Sequence, residues 1–214
     1  MIGLAGDAPK ACKLCPRLVG FRNVNRDAEP DWFNGAVPSF GDPKARLVIV
    51  GLAPGLQGAN RTGRPFTGDW AGDLLYATLL KLGLARGTYD ERADDGLELI
   101  GCAITNAVRC VPPENKPTSD EIKRCNDFLA ATLGGLKQTR AVLALGRIAH
   151  DAVLRAWQVK PTPFTFGHGN EHRAHDNISL IDSYHCSRYN TNTGRLTTEM
   201  FETAVTRAKS LAGL

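Results

Sequence analysis

The chain has 214 residues, 43% of them hydrophobic, so it can bury a full core and is short enough for one domain. Its formal net charge of +4 does not by itself indicate a nucleic-acid partner, although a local basic stripe would be compatible with it. The first residues lack the basic and long apolar stretches of a signal peptide or membrane span. We therefore expect one domain over residues 1–214, in a cytoplasmic monomer that binds no membrane and, in a prokaryote, associates with the nucleoid.

Short apolar runs alternate with helical periodicity along the chain. The runs predict buried strands at 47–51, 99–105, 141–146 and 178–182. Apolar residues at helical spacing predict helices over 69–84, 118–133, 147–157 and 197–212, the second of them opened by a capping box of Thr118 and Glu121. This alternation predicts an α/β fold: a three-layer αβα sandwich with a central four-stranded parallel sheet, preceded by a loop-rich N-terminal extension over residues 1 to about 45. Ligands of such folds bind at the carboxyl ends of the strands.

The segment after the first predicted strand, residues 51–76, is rich in glycine. Its glycines at 51, 55, 58, 63 and 68 let backbone amides approach a bound group closely or adopt a positive φ. A loop that binds nucleotide phosphates is one alternative. The segment has neither the dinucleotide fingerprint nor the P-loop spacing, which makes that alternative the weaker one.

Four of the six cysteines have the arrangement of metal ligands. Cys12 and Cys15 form a Cys-x-x-Cys pair, and Cys110 and Cys125 flank a Pro-Pro turn and the start of a predicted helix. Zinc ribbons usually have two tight Cys-x-x-Cys pairs, whereas iron–sulfur clusters tolerate irregular spacing. The spacing therefore favours a cluster and leaves zinc as the alternative. Cys102 lies inside a predicted strand and is expected to pack as a small apolar group.

Three polar motifs follow predicted strands: GLAPG with GANRTGRPFTGD, then TNAVRCVPPENKP, then SYHCSRYNTNTGRLT. In this order, and together with the four cysteines, they resemble the family 5 or B type uracil-DNA glycosylases, in the iron–sulfur branch of the uracil-DNA glycosylase superfamily. The resemblance implies a [4Fe–4S] cluster on the cysteines and, as partner, DNA containing uracil or other deaminated bases. Cys186 is a departure, because the wider superfamily commonly has proline after the motif histidine.

The implied activity is base excision: uracil is flipped out of DNA and its N-glycosidic bond is hydrolysed, leaving an abasic site. The first and third motifs contain no lysine for a Schiff base, so strand cleavage is not expected. Two alternatives remain open from the sequence. One is a non-catalytic iron–sulfur module that senses DNA damage, and the other is a cluster-bearing nucleotide-binding protein that uses the glycine-rich loop.

Base excision requires an aromatic face for the flipped base, polar groups for its edge, and groups that stabilise charge as the bond breaks. The resemblance implies that Asp69 orients water, Asn106 binds the uracil edge, and His185 donates to the negative charge that develops on the base. The implied base pocket is completed by Ala53, Gly55 and Phe66. Simpler roles exist for each polar residue: a helix cap for Asp69, a turn for Asn106, and an ordinary buried histidine for His185.

Hydroxyl, amide and cationic side chains of the first and third motifs are suited to phosphate contacts. The predicted DNA-binding residues are Asn60, Arg61, Arg64, Ser187, Arg188, Tyr189, Asn190, Thr191 and Arg195. Arg188 or Tyr189 is predicted to fill the position that the flipped base vacates, and a solvated loop is the alternative. His168, His172 and His175 have irregular spacing, so we interpret them as loop residues rather than a metal site.

Overall fold

The computed structural model describes residues 4–214. The helices are α1 (Pro16–Ala28), α2 (Ala59–Thr62), α3 (Trp70–Lys81), α4 (Ser119–Gly135), α5 (Arg147–Ala156), α6 (Arg188–Asn192) and α7 (Thr198–Ala212), with a 3-10 turn at Pro113–Asn115. The strands are β1 (Phe40–Gly41), β2 (Leu47–Gly51), β3 (Ala85–Arg86), β4 (Glu98–Leu99), β5 (Cys102–Asn106), β6 (Ala141–Leu145), β7 (Glu171–His175) and β8 (Ile178–Ser183). None of the helices in the described part of the chain is both long and apolar enough to cross a membrane.

The central sheet has six strands in the order β1-β5-β2-β6-β8-β7. Its four middle strands are parallel, which confirms the predicted α/β fold and its parallel core. The two edge strands run antiparallel to their neighbours and were not predicted. β1 has only two residues, and β7 reads Glu-His-Arg-Ala-His, so neither has the apolar run that identifies a buried strand. Strands β3 and β4 form a separate antiparallel pair.

The alternation of side chains along β2 divides the core into two layers. Leu47 and Ile49 belong to the cluster formed with α3 and α7, whereas Val48 and Val50 belong to the cluster formed with α4 and α5. Both faces of the sheet are therefore covered by helices, which is why this strand is apolar at every position. The result is the predicted three-layer sandwich.

The N-terminal extension is more ordered than predicted, because it contains the 13-residue helix α1. Pro16 occupies the first turn, where its missing N–H leaves no hydrogen bond unmade. Only Leu18 and Arg22 of this helix are buried, so its apolar periodicity is too faint to be recognised in the sequence. Asp7 fastens the extension to the core, since its carboxylate accepts a hydrogen bond of 2.8 Å from the buried Arg109 Nη1.

Helix α4 begins as predicted. Thr118 Oγ1 accepts from the Glu121 backbone N at 3.3 Å, and the Glu121 carboxylate accepts from the Thr118 backbone N at 2.8 Å. This reciprocal pair satisfies two of the amide groups that a helix N-terminus leaves without partners. It also fixes the start of the helix that carries Cys125.

Candidate active site

A cavity of about 560 Å³ lies at the carboxyl ends of β2, β6 and the segment after β8. Its volume is in the range of pockets that hold small organic ligands. Its lining includes these residues predicted for the site: Ala53, Gly55, Phe66, Asp69, His185, Ser187 and Arg188. The cavity therefore brings the first and third motifs together, at the edge of the sheet where parallel α/β folds bind ligands.

Asp69 has two oxygens with different surroundings. Oδ1 accepts a hydrogen bond of 3.0 Å from the Gly72 backbone N and caps α3. Oδ2 faces the glycine-rich loop, where a methyl group added at Gly55 or Gly58 would lie only 2.8 or 2.3 Å from it. Burial raises the pKa of Asp69 above its ordinary value, and the backbone N–H groups of the cap oppose that rise. One carboxylate thus serves as a helix cap and also presents an oxygen beside the cavity.

Phe66 forms an aromatic wall of the cavity in an unusual backbone conformation. Its φ is +54°, a left-handed value that costs a residue with a side chain about 1–3 kcal/mol. Its ring stacks on the His185 ring, with the centroids 5.8 Å apart and the planes at 27°. A methyl group at Gly51 would lie 2.5 Å from the Phe66 ring, so only glycine permits this close approach. The packing of neighbouring groups holds Phe66 where it can present a flat face.

Asn106 is the last residue of β5 and is buried. A methyl group at Gly51 would lie 2.4 Å from its Oδ1, which places the amide behind that glycine and close to Phe66, although Asn106 does not itself line the cavity. Its Oδ1 has no hydrogen-bond partner among the described residues. A buried amide oxygen without a protein partner indicates a site for a ligand or a water molecule.

His185 follows β8 and lines the cavity in a half-buried position. Burial lowers the pKa of His185 to about 4, so its imidazole is neutral near pH 7. A neutral imidazole can donate one hydrogen bond without carrying a charge. On the backbone, the carbonyl oxygen of His185 accepts a hydrogen bond of 2.8 Å from Asn190 Nδ2.

Trp70, which was not predicted as a site residue, joins the first and third motifs at the rim of the cavity. Its indole Nε1 donates to Thr191 Oγ1 at 2.9 Å, and the Arg188 guanidinium lies 5.7 Å from its ring centroid. Trp70 remains 48% exposed. A large aromatic side chain directly after Asp69, on a helix start that faces the ligand, was the signal in the sequence that could have identified it.

Arg147 and Ile148 also line the cavity and were not predicted. They form the first turn of α5, directly after β6, where Gly146 has a φ of +94°. The rule that ligands bind at the carboxyl ends of parallel strands could have identified them. Asn115, from the second motif, completes this side of the cavity.

The predicted DNA-binding residues separate into exposed and internal groups. Arg188, Tyr189 and Arg195 are exposed, and Tyr189 is 72% accessible. Arg61 is half-buried, with its Nε donating to the Gln57 carbonyl oxygen at 2.7 Å. Ser187, Asn190 and Thr191 are half-buried and form hydrogen bonds within the third motif.

Asn60 and Arg64 differ from their prediction as phosphate contacts, because both are buried. Asn60 Nδ2 donates to Asn34 Oδ1 at 2.9 Å. Arg64 forms a two-pronged ion pair with Asp95, at 2.7 and 2.6 Å, and is 1% exposed. A buried charge needs such a partner, and here the partner lies on a distant loop. The structure thus corrects the prediction for these two residues.

The four predicted ligand cysteines surround one small cleft. Cys12 and Cys15 are half-buried, Cys110 and Cys125 are buried, and none forms a disulfide. Burial raises the pKa of Cys110 to about 12 and that of Cys125 to about 11. Such thiols become thiolates only when a positive group stabilises them, as a bound metal does.

The surroundings of these thiols are compatible with a bound metal centre. The buried Arg22 places Nη1 3.5 Å from Cys110 Sγ, and the Arg109 backbone N donates to Cys125 Sγ at 3.3 Å. N–H groups directed at cysteine sulfurs are a recurrent feature of iron–sulfur sites.

A second group of potential ligands lies away from the cysteines. His150, His172 and Asp182 place their ligand atoms within 4.8 Å of one another. The interpretation of His172 and His175 as loop residues is wrong, since both lie in β7, whereas His168 does lie in a loop. Both oxygens of Asp182 already accept hydrogen bonds from the two histidines, at 2.7 Å from His150 and 3.1 Å from His172.

Comparison with known proteins agrees with this architecture. The family model of the uracil DNA glycosylase superfamily matches residues 38–209, which include the whole sheet and all three motifs. The chain and its fold therefore belong to this superfamily.

Individual relatives identify the family within this superfamily. The type-5 uracil-DNA glycosylase of Thermus thermophilus is 47% identical over 210 residues, covering 95% of each chain. That of Pyrobaculum aerophilum is 41% identical, covering 94% of this chain and 89% of the relative. A type-4 uracil-DNA glycosylase of the same organism is 38% identical but covers only 56% of this chain. The chain belongs to the type-5 uracil-DNA glycosylases.

Proposed function

We propose that this protein is a monofunctional uracil-DNA glycosylase of base-excision repair. It binds DNA that contains uracil or other deaminated bases, receives the flipped base in the cavity and hydrolyses the N-glycosidic bond. The observation that carries this proposal is the convergence of Asp69, His185 and Phe66 on one cavity, with the free amide oxygen of Asn106 close behind. The 47% identity to a type-5 uracil-DNA glycosylase supports the same substrate.

In the proposed reaction the bond between C1′ of deoxyribose and N1 of uracil breaks, and its electron pair leaves with the base. Negative charge develops on uracil and positive charge on the sugar. The Asp69 carboxylate stabilises the cationic sugar and orients a water molecule, whose oxygen bonds to C1′ while its proton passes to the carboxylate. The raised pKa of Asp69 makes this carboxylate a better proton acceptor than an exposed one.

His185 and Asn106 act on the base. A neutral His185 donates a hydrogen bond to the uracil oxygen that becomes negative, and the low pKa of about 4 keeps this donor in one protonation state near neutrality. Asn106 supplies an amide for the Watson–Crick edge of uracil. Phe66 supplies a stacking face, and the small residues Ala53 and Gly55 leave room for bases other than uracil.

The rim of the cavity is the proposed DNA interface. Arg188 and Tyr189 are the candidates for the side chain that fills the vacated position in the duplex, because both are exposed. Arg61, Ser187 and Arg195 are suited to phosphate contacts. The internal hydrogen bonds of Asn190 and Thr191 shape this surface from within.

We propose that Cys12, Cys15, Cys110 and Cys125 hold a [4Fe–4S] cluster, with zinc as the alternative. Such a cluster supplies a rigid covalent frame that ties the N-terminal extension to α4 and to the second motif. Ala53 packs against the hydrophobic cluster that contains Cys110 and Cys125 and also lines the cavity, so a rigid thiol centre would support one wall of the base pocket.

Iron analysis tests this assignment. Purified wild-type protein is expected to be brown, with about four irons per chain and a broad visible absorbance. Cys110→Ala is expected to lose both, because it removes one ligand. Cys102→Ala is the matched control, since Cys102 is buried in β5 away from the cleft. Stoichiometric zinc without iron would instead establish the alternative.

We propose that the enzyme does not cleave the DNA strand, and the positions of the lysines support this. No lysine lines the cavity in the described part of the chain, and Lys116 of the second motif is 80% exposed beside Glu114. A Schiff base requires an amine close to C1′. We further propose a single domain, since both core layers pack on one sheet. The proposed protein acts as a monomer in the cytoplasm, at the nucleoid in a prokaryote.

The test is single-turnover cleavage of an oligonucleotide that contains one uracil. Free uracil and an abasic site should form, and strand breaks should appear only after alkali. A thymine oligonucleotide of the same sequence is the control. Tight binding of the uracil oligonucleotide without release of uracil would reject the enzyme and favour a damage-sensing module.

A further inference from the structure

Asp182, near the end of β8, is a buried hydrogen-bond hub outside the cavity. Its Oδ1 accepts from His150 Nδ1 at 2.7 Å. Its Oδ2 accepts from His172 Nε2 at 3.1 Å and from the Gly167 backbone N at 3.2 Å. These bonds connect α5, β7 and the preceding loop to the sheet.

His150 is fully buried, and both of its ring nitrogens face acceptors. Nδ1 faces the Asp182 carboxylate, and Nε2 lies 3.0 Å from the Phe164 carbonyl oxygen. Neither a carboxylate nor a carbonyl oxygen can donate in return, so this geometry favours a doubly protonated imidazolium. Burial lowers the pKa of His150, but the hydrogen bond and charge of Asp182 outweigh that effect and raise the pKa overall. The loop that begins at Phe164 is therefore fastened to the interior.

The fastened loop carries His168, which contacts the third motif. His168 Nδ1 accepts a hydrogen bond of 3.1 Å from the Tyr184 backbone N, and the two rings stack with centroids 5.1 Å apart. Tyr184 directly precedes His185 in the chain. Burial lowers the pKa of His168, which keeps its ring neutral and leaves Nδ1 unprotonated, so that Nδ1 can accept the hydrogen bond from Tyr184.

Side chains thus fix the backbone on both the N-terminal and the C-terminal side of the His185 side chain. The Tyr184 amide is fixed by His168, and the His185 carbonyl oxygen accepts from Asn190 Nδ2 at 2.8 Å. A hydrogen-bond donor in an active site acts only when it is placed within a fraction of an ångström, so the groups that fix its backbone matter to the rate.

We propose that His168 is a positioning residue for His185, and that His150, Asp182 and His172 fix His168 in place. This inference deepens the proposed function and rests on it, because it takes His185 as the donor to uracil. The active site then depends on these four residues, which lie outside the cavity and do not touch the substrate.

Two substitutions distinguish the contribution of the His168 acceptor nitrogen from that of its aromatic ring. His168→Phe keeps an aromatic ring against Tyr184 and removes the acceptor, whereas His168→Asn keeps an acceptor oxygen near the position of Nδ1. His168→Phe is expected to lower the single-turnover rate about tenfold with unchanged affinity for uracil DNA, as a small misplacement of a catalytic group does. His168→Asn is expected to recover most of that rate. His175→Phe is the control, because His175 stacks on Trp157 outside the network.

Two further measurements keep the inference distinct from the proposed function. In a His185→Ala background, His168→Phe should cause no additional loss of rate, because its effect passes through His185. In NMR spectra, His168→Phe should shift the Tyr184 amide and the His185 ring resonances, and His175→Phe should leave both unchanged. An unchanged rate in His168→Phe, equal losses in both His168 variants, or additive losses with His185→Ala would overturn the inference. A wild-type protein that leaves uracil in place would overturn the proposed function, and the NMR comparison would still test the positioning.

Discussion

The active-site cavity and the network around Asp182 both contain a histidine, and the two histidines have opposite surroundings. His185 lines the cavity, and burial lowers its pKa to about 4. His150 lies in the network with a carboxylate 2.7 Å away, and its pKa is raised. Burial disfavours a charged imidazole in both places, and only His150 has a carboxylate within hydrogen-bond distance that reverses the effect.

The same contrast holds for other polar groups. In the network each oxygen of Asp182 accepts a hydrogen bond. Beside the cavity, the Oδ1 of Asn106 has no partner among the described residues and Phe66 holds a strained φ. Satisfied polar groups stabilise the fold, whereas an unpartnered or strained group beside a cavity can be completed by a ligand. Substitutions of Asp182 or His150 should therefore reduce stability in addition to any effect on the position of His168, whereas substitutions in the cavity should reduce the rate of chemistry with little loss of stability.

The largest effect is expected for Asp182→Asn. This change leaves the buried imidazolium of His150 without its anion, and removal of one partner from a buried ion pair costs about 3–5 kcal/mol of unfolding free energy. Urea denaturation of the variant and the wild type measures the difference. Ser183→Ala, at the next buried position of β8, is the control. A loss no greater than that of the control would show that the network contributes little to stability.

Asp69→Asn tests the cavity side. Asparagine caps a helix about as well as aspartate, so the melting temperature should remain near that of the wild type. The single-turnover rate should fall by about two orders of magnitude, because the variant lacks the charge that orients water and stabilises the sugar.

The pH dependence adds a second measurement. The wild-type rate should decrease on the acid side at a pH above 3.8, the ordinary pKa of aspartate, because the pKa of Asp69 is raised by burial. Asp69→Asn should lack this decrease. A variant with near-normal chemistry would leave Asp69 as a cap only and would direct attention to Asn106 and to Asp73, one turn further along α3.

The opposite pKa shifts of the two histidines predict opposite pH dependences of stability. The folded pKa of His150 is raised, so its contribution is full below about pH 6.5, the unfolded value, and is lost as pH rises through the folded pKa. The folded pKa of His185 is about 4, so its neutral burial favours unfolding as pH falls from about 6.5 toward 4. His150→Gln should be most destabilised, relative to the wild type, below pH 6.5.

Melting temperatures from pH 5 to 9 check this prediction. The difference between the wild type and His150→Gln should shrink as pH rises, while His185→Gln should gain stability relative to the wild type at low pH. The titratable groups that face His150 are Asp182, Asp151 and His172, whose ring centroid lies 5.3 Å away, and none of them changes in these variants. A difference that is constant with pH would contradict the assignment of His150 as an imidazolium.

The smallest effect is expected at the exposed rim of the cavity. Arg188→Ala and Tyr189→Ala should leave stability unchanged, because both side chains are exposed. Truncating the residue that fills the vacated position should slow cleavage of duplex DNA several-fold and leave single-stranded DNA almost unaffected, because only a duplex must be held open. Equal losses on both substrates for both variants would assign this segment another role.

Much of the fold was determined by the sequence alone. The apolar run at 47–51 coincides with β2, and the Thr118 capping box starts α4, because strand burial and helix capping depend on residues a few positions apart. The first and third motifs also predicted side chains that line one cavity, and the four cysteines predicted as ligands surround one cleft. Each motif keeps its polar residues close together in the chain, and the ligand role of the cysteines stays a prediction.

Contacts between distant parts of the chain were decided by the tertiary structure. Arg64 was predicted to bind phosphate and is instead paired with Asp95, 31 residues away. Trp70 donates to Thr191 over a separation of 121 residues, and His150 donates to Asp182 over 32. No local pattern specifies such pairs, because whether a polar side chain faces solvent, ligand or an internal partner depends on which elements the fold packs against it.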